Sequence, residues 1–408
     1  MTRRVVVTGL GLVTSIGSDV ATFWEALLAG RSGIRPVGSF DTKDYSVHIG
    51  GEVMDFRPDG VKSRIDLTQV GRASQFAIVA ATNALKDAGI DPERLDPTRA
   101  GVSMGTTSGE PREVETYTDM LLKGDLGAIG PELVTRYPCG SIPASMAAAI
   151  GFAGPNTMIP TACAAGNYAA ANAMEYLRSG AADLMLAGGS DSFSRITYTG
   201  FARLGAIAPE RCQPFDLNRK GMVPGEGAAV LVLEPADLAE RRGARIYAEL
   251  VGYGLSCDAH HMTASHPEGE GAARAMRSAL KDAGLAPGEV DYISAHGTGT
   301  PTNDRLETLS IKRVFGEAAP KIPISSAKSM LGHTMGAASA IETAICALAI
   351  ERGRVPPTIN YETKDPDCDL DYVPNHARDH RVNVAMNNAY AFGGNNASLI
   401  LKRYEGGR

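Results

Sequence analysis

Apolar and polar positions along this chain switch between short β-branched runs and longer stretches of helical period. Runs rich in Val, Ile and Leu, bounded by glycine or polar residues, predict strands at eight places. These are Val5–Thr8, Gly101–Met104, Asp183–Ala187, Ala229–Glu234, Tyr247–Val251, Tyr292–Ala295, Ile322–Ser325 and Ser398–Leu401. Apolar residues recurring three and four apart predict helices near 20–28, 72–88, 164–178, 270–283, 303–315 and 335–351. Strands alternating with helices mark an α/β class. No linker rich in Pro or Ser and no low-complexity tract interrupts the alternation.

One stretch repeats. Ala84-Leu-Lys-Asp-Ala-Gly89 returns as Ala279-Leu-Lys-Asp-Ala-Gly284, each time at the end of a predicted helix. Both copies run on through a proline and an acidic residue into a short strand and a glycine-rich turn. The shared order of helix, loop, strand and turn predicts a duplicated unit. A second pair, Ile159-Pro-Thr-Ala-Cys-Ala-Ala-Gly and Ile324-Ser-Ser-Ala-Lys with Gly332-His, places a reactive residue type where a strand gives way to a small-residue helix. Two similar halves, each supplying one edge of a shared site, are expected.

Composition narrows the class. The chain has 408 residues, 44% hydrophobic and 21% charged, with a net charge of −6. That balance excludes wholesale disorder and a basic surface for nucleic acid. Six cysteines are too few for a disulfide scaffold and imply a reducing, cytoplasmic setting. The run after Met1-Thr-Arg-Arg is too short and too glycine-broken for a signal peptide. The uncharged stretch 146–166 carries Pro155 and Pro160, which break a spanning helix, so no membrane segment is expected.

Several motifs fail their context. Gly9-Leu-Gly11 lacks the third glycine of a dinucleotide fingerprint and reads as a strand-end turn. Gly101-Val-Ser103-Met-Gly105 matches a hydrolase nucleophile elbow in letters, but Thr-Thr-Ser-Gly-Glu-Pro follows where a helix should begin.

Cys163, in Pro160-Thr-Ala-Cys-Ala-Ala-Gly-Asn, stands at the join of an apolar strand and an Ala-rich helix. The positive end of a helix favours thiolate, so a nucleophile with lowered pKa is expected. Cys139, Cys212, Cys257, Cys346 and Cys368 read as small buried hydrophobes. His296, in Ser294-Ala-His-Gly-Thr-Gly-Thr, and His333, in Lys328-Ser-Met-Leu-Gly-His-Thr-Met-Gly, have glycines that leave a substrate room to reach each ring. The other six histidines lie in polar loops and read as solvated or capping, His261 being the one to re-examine.

These Cys and His segments resemble the Cys-His-His signature of the β-ketoacyl-[acyl-carrier-protein] synthases, and within them the type II elongating enzymes. The resemblance extends through Arg3-Arg-Val-Val-Val-Thr-Gly-Leu-Gly, Ala187-Gly-Gly-Ser, Pro214-Phe-Asp, Gly225-Glu-Gly-Ala-Ala and Asn388-Ala-Tyr-Ala-Phe-Gly-Gly-Asn-Asn. It implies a thiolase-like α/β fold of duplicated βαβαβαββ halves, 1–245 and 246–408, in five αβαβα layers. It also implies a homodimer or a heterodimer with a related subunit, an acyl carrier protein as partner, and no metal or cofactor beyond carrier-borne phosphopantetheine. The implied roles are Cys163 as nucleophile, His296 and His333 as donors to the malonyl-derived enolate, and Lys328 as support with Glu342 as its partner. Backbone N–H groups of Cys163 and Phe392 would form the oxyanion hole, with Gly393 easing the approach of a loop gated by Phe392. Thr298 and Thr300 would hold the pantetheine arm.

Departures from the family pattern carry expectations too. Ala391 and Asn395 replace the usual Gly and Thr of the gating loop. Ser108, Glu110 and Pro111 occupy the stretch that usually lines the acyl-chain pocket with apolar residues, so acyl length or polarity is expected to differ. The docking stretch Ser63–Gln75 keeps only Arg64 and Arg72, shifting carrier docking toward Arg203 and Arg211. Fatty-acid elongation and a specialised type II polyketide or polyene pathway both remain open. Cys163 argues against a non-catalytic chain-length factor. The absence of a second cysteine near Phe392 argues against a coenzyme A thiolase.

Overall fold

The computed structural model describes residues 3–406 except 126, 128 and 129. Ten strands form its main sheet: β1 Val5–Val13, β2 Ala100–Gly105, β3 Asn156–Ile159, β4 Leu184–Asp191, β5 Gly227–Pro235, β6 Ala248–Cys257, β7 Tyr292–Ser294, β8 Ile324–Ser325, β9 Val384–Tyr390 and β10 Asn395–Lys402. Their order is β8-β7-β9-β10-β6-β1-β5-β4-β2-β3. Counted outward from β1 or from β6, each group of five runs first, fifth, fourth, second, third. In each, the first strand pairs antiparallel with the fifth, and the second parallel with the third and fourth. The groups join through Val5↔Leu250, Val6↔Glu249 and Val7↔Ala248.

Helices complete five layers. The helix α1, Arg72–Asp87, covers β1 and β5 on one outside; α3, Glu270–Ala283, and α4, Pro301–Phe315, form the other. Between the two five-stranded groups lie α2, Ala165–Arg178, and α5, Ala338–Arg352. Every residue of α5 from Ala338 to Ile350 is buried, as a helix with apolar surroundings on all sides must be. The two central helices touch closely: a Cβ on Gly166 would lie 2.5 Å from Ala340 N.

Gly9 and Gly11 do not end a strand; β1 continues through both to Val13. A Cβ there would stand 2.3 Å from Ala84 O and 1.8 Å from Ala80 O, so the glycines let α1 lie directly on the sheet. The other half repeats the device. Cβ atoms on Gly252 and Gly254 would fall 2.6 Å from Ala283 N and 2.0 Å from Ala275 O. The repeated Ala-Leu-Lys-Asp-Ala-Gly thus ends the two helices that rest on these glycine pairs.

The strand β9 and the helices Pro111–Lys123, Pro131–Arg136, Ser141–Ile150 and Arg195–Arg203 were not expected from the sequence pattern. Among the cysteines, Cys212, Cys346 and Cys368 are buried as expected. Cys139 is only half-buried and Cys257 is exposed, the latter at the end of β6 beside the loop that carries Gly393. Among the described residues no helix is long and apolar enough to cross a membrane.

Candidate active site

The site lies past the carboxyl ends of parallel strands, where open α/β sheets place their ligands. Cys163 follows β3 on a 3₁₀ turn, Ala162–Ala164, that leads into α2. Ala162 takes a left-handed φ of 51°, which costs a non-glycine residue roughly 1–2 kcal/mol. His296 follows β7, and His333 follows the short helix Lys328–Leu331 beyond β8. The sulfur and one nitrogen of each ring all lie within 4.8 Å of one another. A cavity of about 190 Å³ opens onto the three residues.

Buried groups around the cavity fix its backbone. On α4, Glu307 accepts from the N–H groups of His296 (2.8 Å) and Gly297 (2.7 Å). Asp304, one turn earlier, accepts from Phe215 (2.8 Å) and Gly299 (3.2 Å). Burial pushes Glu307 up to about 8 against those same N–H bonds. Asp191, at the end of β4, accepts from the N–H groups of Thr107, Ser108 and Gly336 and from the Thr106 hydroxyl. Burial raises it to about 6.

Electrostatics set the protonation states. Burial, the Lys328 charge and His333 hold His296 well below 6.5; burial and Lys328 do the same to His333. Both rings are therefore neutral, with one N–H and one lone pair each. His333 Nδ1 accepts from Met335 N–H at 3.1 Å, which puts its proton on Nε2 and makes that nitrogen a donor. Lys328 Nζ sits 2.5 Å from Glu342 Oε1, both side chains 2% exposed. Burial raises Glu342 to about 7, opposed by Lys328.

The thiol overturns its expectation. Burial pushes Cys163 up to about 12, with Lys328 pulling it down only in part. The helix proper begins two residues later, at Ala165. The resting nucleophile is a thiol with the neutral His296 ring near it as a base, while His333, its lone pair taken by Met335 N–H, offers a donor. One sulfur and two imidazoles also match a three-ligand metal set. The Lys328 charge that depresses both rings opposes a dication there.

Other expected residues divide. Thr298 and Thr300 line the cavity, their hydroxyls 2.9 Å apart, and Thr300 caps α4. Phe392 stands at the mouth, 44% exposed, with its ring 6.0 Å from Phe201. Gly393 and Gly394 have φ of 82° and 78°. The departures Ala391 and Asn395 close this loop on itself, Ala391 N–H donating to Asn395 O at 2.9 Å.

Ser108 is not among the cavity-lining residues; its N–H serves Asp191 and its hydroxyl faces Thr197. Glu110 is not among the cavity-lining residues either, and its carboxylate receives the N–H groups of Ala73 and Ser74 at the start of α1. Arg72 cannot dock a carrier, because its guanidinium is spent on buried Glu226 (3.0 and 2.8 Å) and Val53 O. Arg64 is exposed beside Glu93 at 2.9 Å, and Arg211 is paired with Glu362. Arg203 is exposed at the end of the helix whose Phe201 lines the cavity.

Ser103 is buried in mid-strand with its hydroxyl on Asn172, leaving no elbow for a hydrolase. His261 is exposed, its Nδ1 accepting from Thr263 and Ala264, a loop cap. Sequence reasoning missed Asp191, Glu307 and Tyr390. Only the acidic pair Asp304 and Glu307, three apart on one helix face, could have hinted at two of the buried carboxylates.

Comparison with known proteins accords with this geometry. Residues 2–239 match the family Beta-ketoacyl synthase, N-terminal domain, and 247–362 match Beta-ketoacyl synthase, C-terminal domain. The chain is 41% identical over 410 residues to a 3-oxoacyl-[acyl-carrier-protein] synthase 2 of Synechocystis, covering 99% of both. The synthase 2 of Coxiella burnetii is also 41% identical, over 98% of this chain and 99% of its own. Among solved structures, a chain of the ishigamide ketosynthase/chain length factor superimposes with a TM-score of 0.96 at 45% identity, covering 99% of this chain and 100% of that one. A chain of AntDE:AntF, a type II polyketide acyl-carrier protein in complex with its ketosynthase, gives 0.92 at 37% identity, over 99% and 100%. The chain belongs to the β-ketoacyl synthase family.

Proposed function

We propose that this enzyme condenses an acyl group held on Cys163 with malonyl-[acyl-carrier protein], releasing CO2 and giving 3-oxoacyl-[acyl-carrier protein], in fatty-acid or polyketide chain elongation. The observation that carries the reading is the convergence of one thiol and two neutral imidazoles within 4.8 Å on one cavity.

In the first half-reaction Cys163 attacks the acyl-carrier thioester. Its proton passes to a neutral imidazole and then to the departing carrier thiolate, leaving an acyl-enzyme. The backbone N–H groups of Cys163 and Phe392 serve the tetrahedral oxyanion, and the positive φ of Gly393 and Gly394 supports the turn that brings Phe392 near. In the second, malonyl-carrier loses CO2. The resulting enolate oxygen takes the His333 Nε2 proton donor and the His296 ring as its partners. The enolate carbon then attacks the acyl carbonyl, and the Cys163 sulfur leaves and takes up one proton. Burial keeps both rings neutral, and the charge of Lys328, tied to Glu342, adds to it.

Substrates arrive on the phosphopantetheine of an acyl carrier protein, with Thr298 and Thr300 along the arm and Arg203 and Arg64 as exposed cations for an acidic carrier. No resident metal or cofactor enters this scheme. The 45% identity to the ishigamide chain favours a second pathway reading, a ketosynthase of a specialised polyketide or polyene system paired with a related subunit. A homodimer is the counterpart in fatty-acid synthesis. The six free cysteines accord with a cytoplasmic setting.

Intact-mass analysis of carrier-bound products tests the reading, with primers of graded length and saturation. Condensation predicts 3-oxoacyl-carrier two carbons longer than the primer, with one CO2 per turnover. Growth of saturated primers alone favours the fatty-acid pathway, and acceptance of polyene primers the specialised one. Primer loss without chain growth contradicts condensation.

A further inference from the structure

Two residues that line the cavity each carry a buried polar atom with no hydrogen-bond partner among the described residues, the Tyr390 hydroxyl and His296 Nδ1. Tyr390 is 7% exposed and His296 3%. Their rings meet edge to face at 5.7 Å, and both line the cavity that holds Cys163. A buried hydroxyl without an acceptor destabilises a fold, so one kept on a residue of the cavity wall points to a ligand. Burial holds the phenol well above its usual value, so it stays a neutral donor.

We propose that Tyr390 binds the extender unit, its hydroxyl donating to the carboxylate of the malonyl group. This rests on the condensing reading above. The carboxylate is what distinguishes a malonyl thioester from an acyl primer, and a site that must tell them apart needs a group that meets it. Among the described residues no Lys or Arg lines the cavity, and buried Lys328 is committed to Glu342. A full cation on the carboxylate would stabilise the ground state and raise the barrier to losing CO2. A neutral phenol recognises the carboxylate while opposing its departure less. Tyr390 is the last residue of β9, so its ring is carried on a sheet strand and not on the Phe392 turn that follows.

Tyr390→Phe removes the hydroxyl and keeps the ring. Rates are normalised to enzyme that acylates at Cys163, so a poorly folded fraction drops out. The expected result is a KM for malonyl-carrier raised about tenfold, with Cys163 acylation by acyl-carrier close to wild type. Discrimination between malonyl-carrier and acetyl-carrier as competing ligands should fall by the same factor. An unchanged KM for malonyl-carrier overturns the proposal. So do equal losses in acylation and in the malonyl step, which would mark Tyr390 as a packing residue. If the wild-type protein forms no acyl-enzyme at all, the condensing reading itself fails.

Discussion

The two halves enter their central helices by the same turn and put different residues on it. Ala162 and Met335 both have left-handed φ, 51° and 55°. Each opens a 3₁₀ turn, 162–164 and 335–337, that runs into α2 or α5. The position after the strained residue is Cys163 in the first half and Gly336 in the second. Cys163 faces a cavity. Gly336 is packed shut: a Cβ on it would lie 2.6 Å from Thr106 C and Thr107 N, and its N–H is bound to Asp191 at 2.8 Å. Duplication thus offered two equivalent nucleophile positions, and only one has room for a side chain. The second half instead inserts Lys328–Leu331 before its turn, adding the buried cation and His333 to the nucleophile of the first.

The largest break in this arrangement comes from the buried pair. Lys328→Met leaves Glu342 as an uncompensated buried acid and is expected to lower stability by about 3–5 kcal/mol, read by urea unfolding, with loss of condensation. Adding Glu342→Leu should recover much of the stability and none of the activity. Recovery of activity would show that the ion pair is structural alone. A smaller effect is expected at the closed turn. Gly336→Ala meets backbone, not a flexible side chain, and should cost about 1–3 kcal/mol. Cys163→Ala, at the equivalent open position, should cost about 1 kcal/mol or less. Equal costs would erase the distinction between the turns.

The pH dependence is the finest probe. Both histidines titrate well below 6.5 in the fold and near that value when unfolded. Below pH 6.5 the unfolded chain binds protons that the folded chain refuses, so these two groups make stability fall as the pH drops. Comparing wild type with a His296→Gln, His333→Asn protein isolates this contribution from the buried carboxylates, whose raised values act in the opposite sense. The acid limb of condensation should likewise lie well below pH 6.5. A limb at 6.5 would mean rings that titrate as if exposed.

Much of this was legible in the sequence, for identifiable reasons. Helix α3 falls on 270–283 as its periodicity indicates, and the repeated Ala-Leu-Lys-Asp-Ala-Gly marks the duplication that the strand order displays. Cys163 and His296 were recognisable because each follows a strand end among alanines or glycines, and His333 because glycines stand on both sides of it. Strand β9 was not, because Asn387 and Asn388 interrupt its apolar run. Asn387 is affordable inside only through Asn167, Ser339 and Thr343, from distant segments. Gly9 and Gly11 misled for a related reason: whether a glycine turns or admits a neighbour depends on the helix above it. The thiol failed locally as well, since its protonation follows burial and not its place before a helix. Asp191 and Tyr390 carry no local signal, and Glu307 only its spacing from Asp304, because their roles come from backbone groups and a cavity assembled by the fold.

The central claim is that the open turn of the first half, and no other nucleophile, carries the acyl group. Intact-mass measurement after incubation with acyl-carrier protein tests it directly on wild type, Cys163→Ala and Ser103→Ala. The account predicts one acyl adduct on the wild-type and Ser103→Ala proteins and none on Cys163→Ala. An acyl adduct on the Cys163→Ala protein would contradict it.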